Sequence, residues 1–143
     1  MDQIDNNTAL RAALSALPRP LRILHKALID VETDYFGAVG GPLEHLQLIT
    51  THPHFAWLQV MSALMAELDE WLDQEDNMLA ISTDTAADWR AAIEGLIGPG
   101  EPSNAAFRQK YTPLLHDSPE VAIAHGALRA ALAGVPRRDS AAP

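Results

Sequence analysis

The sequence predicts an all-α, single-domain bundle of about five to seven amphipathic helices. Proline and glycine divide the chain into segments, and within each segment apolar residues recur at three-and-four spacing, which places them on one face of an α-helix. No segment alternates apolar and polar residues as a half-buried β-strand does. The length of 143 residues matches one domain. We assign residues 1–134 to the bundle and residues 135–143 to a flexible C-terminal tail.

Each predicted helix is bounded by prolines, glycines or capping residues. The helices cover, in order, residues 8–17, 20–36, 42 to 50 or 51, 54–74, 85–97, 103–116 and 119–134. Asn7 or Thr8 is expected to cap the first helix, and Ser118 the last, in which Pro119 suits the first position. Pro113 is expected to kink or end the helix that contains it.

Two of these helices carry the main apolar stripes. In the second helix, the stripe consists of Leu21, Leu24, Leu28, Val31 and Tyr35. In the fourth helix, a broader face contains Trp57, Leu58, Met61, Leu64, Met65, Leu68, Trp71 and Leu72. We expect neighbouring helices to cover faces with this spacing. A dimer interface or a ligand pocket on the Trp and Met face is the alternative.

The charge and the cysteine content exclude several classes of partner and site. Ten Lys and Arg against 19 Asp and Glu give a formal net charge of -9, which repels nucleic acid and anionic lipid, so neither is an expected partner. No apolar run approaches transmembrane length, and the acidic first residues do not form a secretory signal. The absence of cysteine excludes disulfides and thiolate sites and favours a reducing compartment. We therefore predict a cytoplasmic protein.

The motifs for metal binding and nucleophilic catalysis are incomplete. None of the six histidines follows a Glu by three residues, as the di-iron bundles require. His25 and Asp30 have the spacing of one hemerythrin ligand pair, but the accompanying His-x3-Glu spacing occurs only at His116 and Glu120, where Pro119 interrupts the helix. The zinc-protease, nucleophile-elbow and phosphate-loop motifs do not occur. No cofactor is predicted.

Two histidines and one glutamate fall on apolar helix faces. His25 and Glu32 are seven residues apart, about two helical turns, and so share a face of the second helix. His125 lies on the apolar face of the last helix, beside Gly126, which we expect to allow close helix packing. If these side chains converge, they form a proton-handling, metal or small-ligand site. Otherwise they only hydrogen-bond to one another or to a helix end.

Several short runs resemble a family of short bacterial helical proteins to which no activity is assigned. The runs are Leu24-His25-Lys26-Ala27-Leu28 with Glu32 and Tyr35, Pro53-x-Phe55-Ala56-Trp57-Leu58, Leu68-Asp69-Glu70, Phe107-x3-Tyr111 and Pro119-x-Val121-x3-His125. The resemblance covers most of the chain after the first helix. It implies a bacterial cytosolic helical domain.

Together these observations predict an interaction module without catalysis, which binds another protein or forms a homodimer. The alternative is a helical bundle that binds a metal or a small ligand at a His/Glu site. The residues predicted to form a ligand site or polar core cluster are His25, Glu32, Tyr35, Trp57 and His125. If a metal is bound, its ligands are expected to be His25, Glu32 and His125.

Overall fold

The computed structural model describes residues 2–37 and 40–138, and every regular element within them is helical. Seven α-helices have ten or more residues, and one shorter α-helix and one 3₁₀ helix complete the set in this part of the chain. The α-helices are α1 (Asp2–Ser15), α2 (Pro18–Phe36), α3 (Pro42–Thr51), α4 (Gln59–Asp73), α5 (Glu75–Leu79), α6 (Thr83–Ile97), α7 (Ala105–Asp117) and α8 (Pro119–Leu132); the 3₁₀ helix is Pro53–Leu58. The predicted all-α bundle is confirmed.

A single apolar core joins these helices. Its largest fully buried side chains come from α1, α2, α4, α6, α7 and the 3₁₀ helix and from the α1–α2 corner: Leu14, Leu17, Leu21, Leu24, Leu28, Phe55, Leu58, Met61, Leu68, Ile93, Phe107 and Tyr111. Helix α8 adds Val121, Leu128 and Leu132, which are 0% exposed. Burying each large apolar side chain contributes roughly 1.5–3 kcal/mol. Among the helices described, none combines the length and the hydropathy that crossing a membrane requires.

Helix α2 lies at the centre of the bundle and packs against α8, α4 and the 3₁₀ helix. Its buried stripe continues from Leu28 to Glu32, whereas Tyr35 is 67% exposed. The prediction that Tyr35 belongs to the core stripe is therefore wrong. The reason is that α8 runs antiparallel to α2 and begins at Pro119, which lies beside the last turn of α2. Tyr35 borders the start of α8 from outside the core.

The region predicted as one long helix over residues 54–74 consists of two elements, the 3₁₀ helix and α4. The short helix α5, which follows at Glu75, was not predicted. The His52 side chain caps the 3₁₀ helix, because its Nδ1 accepts a hydrogen bond of 3.0 Å from the His54 backbone N–H. With three residues per turn, this tight helix places Phe55 and Leu58 on the same buried side.

Both ends of the described part of the chain contact α6 or the loop before it, which the sequence did not indicate. Helix α1 begins before Asn7, whose side chain does not cap it. Instead, Asn7 Oδ1 accepts from the Ile81 N–H over 2.7 Å, so α1 is joined to the start of α6. At the other end, Val135 is buried and its carbonyl accepts from Arg90. Arg138 pairs with Asp88 on α6. Residues 135–138 of the predicted tail thus include contacts with the bundle, and residues 139–143 lie outside the described part.

The Arg108 guanidinium connects the end of α6 to the start of α7. It donates hydrogen bonds of 2.8–3.1 Å to the carbonyls of Glu94, Gly95, Leu96 and Gly100. The last carbonyls of a helix have no partner within the helix, and a guanidinium with five N–H donors can serve several of them. One side chain therefore fixes the α6–α7 corner.

The cap predictions for the last helix are confirmed, whereas α7 does not end at Pro113, which was one of the two outcomes expected for this proline. Ser118 Oγ accepts from the Val121 N–H over 3.3 Å, and Pro119 is the first residue of α8. Helix α7 continues through Pro113 to Asp117. Pro113 and Gln109, whose carbonyl loses its helical partner, both lie on the exposed side, where water can replace the missing hydrogen bond.

Candidate functional site

Glu32 is a buried carboxylate at the contact between α2 and the 3₁₀ helix. It is 8% exposed, and its Oε2 accepts a hydrogen bond of 3.0 Å from the indole Nε1 of Trp57. His54 Nε2 lies 3.5 Å from the same oxygen and donates to the Glu32 backbone carbonyl over 3.0 Å. The Phe36 ring packs against the His54 ring. The Trp57 indole therefore serves the buried carboxylate, and the His54 ring serves the backbone carbonyl of the same residue.

A line of aromatic rings extends from this carboxylate through the core to α8. Trp57 contacts Phe107, and Phe107 stacks on Tyr111, with ring centroids 5.0 and 5.8 Å apart. The Tyr111 hydroxyl is hydrogen-bonded to His125 Nδ1 over 2.7 Å. Burial raises the pKa of Tyr111. Burial, and secondly the positive charge of Arg129, lower the pKa of His125. A neutral phenol and a neutral imidazole therefore face each other here at pH 7.

His25 makes a separate polar contact between α2 and α4. Its Nε2 is hydrogen-bonded to Ser62 Oγ over 2.8 Å, and Ser62 also donates to the Leu58 carbonyl. Burial lowers the pKa of His25. An imidazole with a neutral partner and a depressed pKa is uncharged at pH 7, so this contact is a structural link between the two helices.

The structure therefore distributes the predicted site residues among separate contacts. Glu32 and Trp57 are hydrogen-bonded to each other, whereas His25 and His125 bind Ser62 and Tyr111, and Tyr35 is outside the core. Within the described residues, no three His, Cys, Asp or Glu side chains are grouped so that they could hold a metal ion. The expected ligand set of His25, Glu32 and His125 is thus not assembled there.

The partners of these residues were not predicted. His54 and Ser62 were not among the predicted site residues, and Tyr111 appeared only in one of the runs that carry the resemblance. For Tyr111 there was a signal, because a tyrosine that is fully buried needs a partner for its hydroxyl and His125 was already placed on an apolar face. Ser62 had no such signal, since a serine on a helix flank is typically solvated.

The outer face of α2 and α8 is apolar along the line where the two helices meet. A groove of about 470 Å³ runs between them over alanines, with Ile23 and Ile123 as its walls. These two side chains are 49% and 74% exposed. Isolated apolar residues on a surface are common, but two isoleucines beside a shared apolar groove form a patch of the kind found in interfaces. We refer to the surface formed by Ile23, Ala27, Ile123, Ala124 and Ala127 as the α2–α8 face.

Charged residues lie at the rim of the α2–α8 face, and the sign of their charge changes along α2. Along α2, Arg19 comes first, the Lys26–Asp30 ion pair of 2.8 Å follows, and Asp34 comes last. Glu120 lies beside the acidic half, because α8 is antiparallel to α2. One end of the face is therefore basic and the other end is acidic.

A smaller groove continues from the acidic end of this face. It has a volume of about 370 Å³ and lies between the last turns of α2 and the α7–α8 corner. Tyr35 and Asp34 line one side of it, and Leu114, Asp117 and Pro119 line the other. We refer to this as the Tyr35 groove.

The comparisons with known proteins give no assignment for either surface. The chain matches no protein-family model, no curated protein and no solved structure. The resemblance to short bacterial helical proteins stays a prediction.

Proposed function

We propose that this protein is a non-catalytic interaction module that pairs with a second copy of itself through the α2–α8 face. The observation that carries the proposal is the exposure of Ile23 and Ile123 on the walls of one apolar groove. Exposed aliphatic side chains around a shared apolar groove are typical of the centre of a protein–protein interface.

The arrangement of charge favours a second copy as the partner. In a two-fold dimer the same patch occurs on both sides of the interface, so the patch must complement itself. A face with Arg19 at one end and Asp34 at the other meets this condition, because the two-fold rotation brings the basic end of one copy to the acidic end of the other. A face of uniform charge would repel its own copy.

The net charge of the chain supports the α2–α8 face as the location of the dimer interface. At a formal charge of -9, two copies repel each other over most of their surfaces. The rim of the α2–α8 face has two basic residues, Arg19 and Lys26, against three acidic ones, Asp30, Asp34 and Glu120, so its charge is close to neutral. The outward side of α8 after Glu120 consists of isoleucine, alanine and glycine. This is where two copies approach with the least repulsion.

The buried polar residues support a structural role. Each of Glu32, His25 and His125 has a hydrogen-bond partner that links two helical elements, and such contacts specify the packing of a bundle. The predicted location in a reducing compartment, the cytoplasm, is part of this proposal, because the chain contains no cysteine.

The test is a comparison of two Glu substitutions at exposed apolar residues. Ile123→Glu places a charge at the centre of the α2–α8 face, and Leu43→Glu places the same charge on α3, where Leu43 is 68% exposed. We expect the wild type and Leu43→Glu to sediment as dimers. The Ile123→Glu dimer should dissociate at concentrations about tenfold or more higher than the wild-type dimer does, since burying an unpaired charge is costly.

Both variants should keep the thermal stability of the isolated chain, because both side chains are exposed. A wild type that sediments as a monomer at every concentration would contradict the proposal. So would equal weakening of the dimer by Ile123→Glu and Leu43→Glu.

A further inference from the structure

Residues 135–138 follow the end of α8 and lie against α6. Val135 anchors this segment, because its side chain is 1% exposed and its carbonyl accepts a hydrogen bond from the Arg90 guanidinium. Arg137 and Arg138 come next, and both pair with carboxylates of α6. Helix α8 itself packs mainly against α2 and α7. This segment, which we call the strap, therefore connects the end of α8 to α6.

The charges of the strap and of α6 are complementary. Arg138 lies within ion-pair distance of Asp84 and Asp88, which are one helical turn apart. Arg137 lies 3.4 Å from the carboxylate of Glu94. Two basic side chains of the strap thus lie against three acidic side chains of one helix.

The strap crosses α6 at small side chains. Successive residues of a helix are about 100° apart around its axis. Ala87 and Ala91 therefore project between Glu94 on one side and Asp84 and Asp88 on the other. Both alanines and Glu94 line a groove of about 390 Å³, together with the two arginines of the strap. This part of α6 leaves room for a segment of chain and has carboxylates on both sides of it.

We propose that this surface of α6 is a docking site for basic segments, which the chain fills with its own strap. The strap gives the chemistry of the ligand: an aliphatic residue followed, after one intervening residue, by two basic residues. The net charge of -9 attracts segments of this kind. The docking site does not depend on the proposed dimer, because neither the strap nor α6 belongs to the α2–α8 face.

The contacts of the strap allow it to be exchanged. The side chains of Arg137 and Arg138 are 60% and 50% exposed, and exposed ion pairs contribute little to stability. Val135 is the one strap residue whose side chain is fully buried. A second segment with the same sequence pattern can therefore displace the strap by supplying its own aliphatic anchor and its own basic pair.

The test measures the binding of a fluorescent, amidated peptide with the sequence of residues 133–138. In the full chain, Arg137→Glu/Arg138→Glu places acidic strap residues against the acidic residues of α6, which favours the open strap and leaves α6 unchanged. We expect this variant to bind the peptide at least about tenfold more tightly than the wild type in fluorescence anisotropy. Arg11→Glu/Lys110→Glu makes the same change in net charge at exposed residues of α1 and α7. This control should bind the peptide as weakly as the wild type does.

Hydrogen exchange follows the strap itself and requires smaller changes to the chain. The Val135 amide is hydrogen-bonded to the Leu132 carbonyl over 2.9 Å, and we expect it to exchange when the strap opens. Arg138→Glu should speed this exchange by about threefold or more. Adding Asp88→Arg restores the ion pair with reversed charges and should return the rate toward that of the wild type.

Tighter peptide binding by the strap variant than by the control supports the docking site. The proposal is overturned if the peptide binds the two equally, because general attraction by negative charge would then explain the binding. It is also overturned if Asp88→Arg does not reverse the effect of Arg138→Glu, since the ion pairs would not hold the strap. A wild type that is monomeric would contradict the proposed dimer and would leave both of these readouts unchanged.

Discussion

The indole nitrogen of Trp57 and the carboxylate of Glu32 form a buried hydrogen bond of 3.0 Å between residues that are 25 positions apart. The contact joins the central helix α2 to the 3₁₀ helix, and His54 of the same 3₁₀ helix donates to the Glu32 backbone carbonyl. A carboxylate in a core is unfavourable unless a donor serves it, and here the Trp57 indole does so. The pair therefore selects one orientation of the 3₁₀ helix on α2.

The first prediction concerns the stability contributed by this pair. Glu32→Ala should lower the free energy of unfolding by roughly 2–3 kcal/mol, because the indole N–H is left without an acceptor in the core. Glu32→Gln should cost about 1 kcal/mol, since its amide oxygen can still accept from Trp57. Urea unfolding followed by circular dichroism measures both. Glu70→Ala, at an exposed carboxylate on α4, is the control; a Glu32→Ala variant as stable as this control would show that the pair contributes nothing.

The second prediction concerns pH. Burial lowers the pKa of His25 and of His125 below the ordinary value of 6.5. The unfolded chain therefore binds more protons than the folded chain between the lowered values and 6.5. The sign follows from proton linkage: the stability from these two groups is fully present above pH 6.5, declines as the pH falls below it, and levels off below the folded-state pKa.

The measurement for this prediction is the loss of stability between neutral and mildly acidic pH. A His25→Gln/His125→Gln double variant should lose less stability than the wild type over this interval. The other four histidines are common to both proteins, so their titration cancels in the comparison. An equal loss in the two proteins would show that His25 and His125 do not contribute to the acid sensitivity.

The third prediction contrasts two helical glycines. A Cβ atom at Gly95 would lie 2.5 Å from Ser103 Oγ and 2.8 Å from Ser103 Cβ, whereas a Cβ at Gly126 would meet nothing within 4 Å. The expected close packing at Gly126 is thus wrong. Gly126→Ala should stabilise the chain by about 0.5–1 kcal/mol through helix propensity. Gly95→Ala should destabilise it by roughly 1–3 kcal/mol, because Ser103 must shift.

Thermal unfolding of the two glycine variants beside the wild type measures this contrast. The protein should be diluted until it is monomeric, because Gly126 is on an exposed side of α8. If both substitutions stabilised the protein, the contact between Gly95 and Ser103 would not constrain the α6–α7 corner.

The sequence was sufficient to predict the first residue of helices that begin with strong local signals. Pro42 and the Ser118-Pro119 pair mark the starts of α3 and α8 where the structure has them, because proline at the first position and a serine cap act within a few residues. The 3₁₀ conformation of Pro53–Leu58 could not be predicted in this way. It depends on how Phe55 and Trp57 fit against α2 and α7, which is a tertiary effect.

The candidate site was less predictable, for the same reason. Helical spacing placed Glu32 and Tyr35 on the same side of α2, yet Glu32 is buried and Tyr35 is exposed. The difference arises where α8 begins relative to α2, and spacing within one helix carries no information about its neighbours. Ile23 and Ile123, the walls of the groove in the α2–α8 face, were not predicted to lie together, since they are 100 residues apart in the sequence.

The Arg108 contacts determine where this chain tolerates a new terminus. The segment around Gly98 and Gly100 has the composition of a loop that accepts insertions. However, the guanidinium binds the carbonyl of Leu96, before this segment, and the carbonyl of Gly100, within it. An insertion or a circular permutation there would separate acceptors that share one donor group. Protein engineers who wish to attach a fusion partner should therefore leave this corner intact, despite its two glycines.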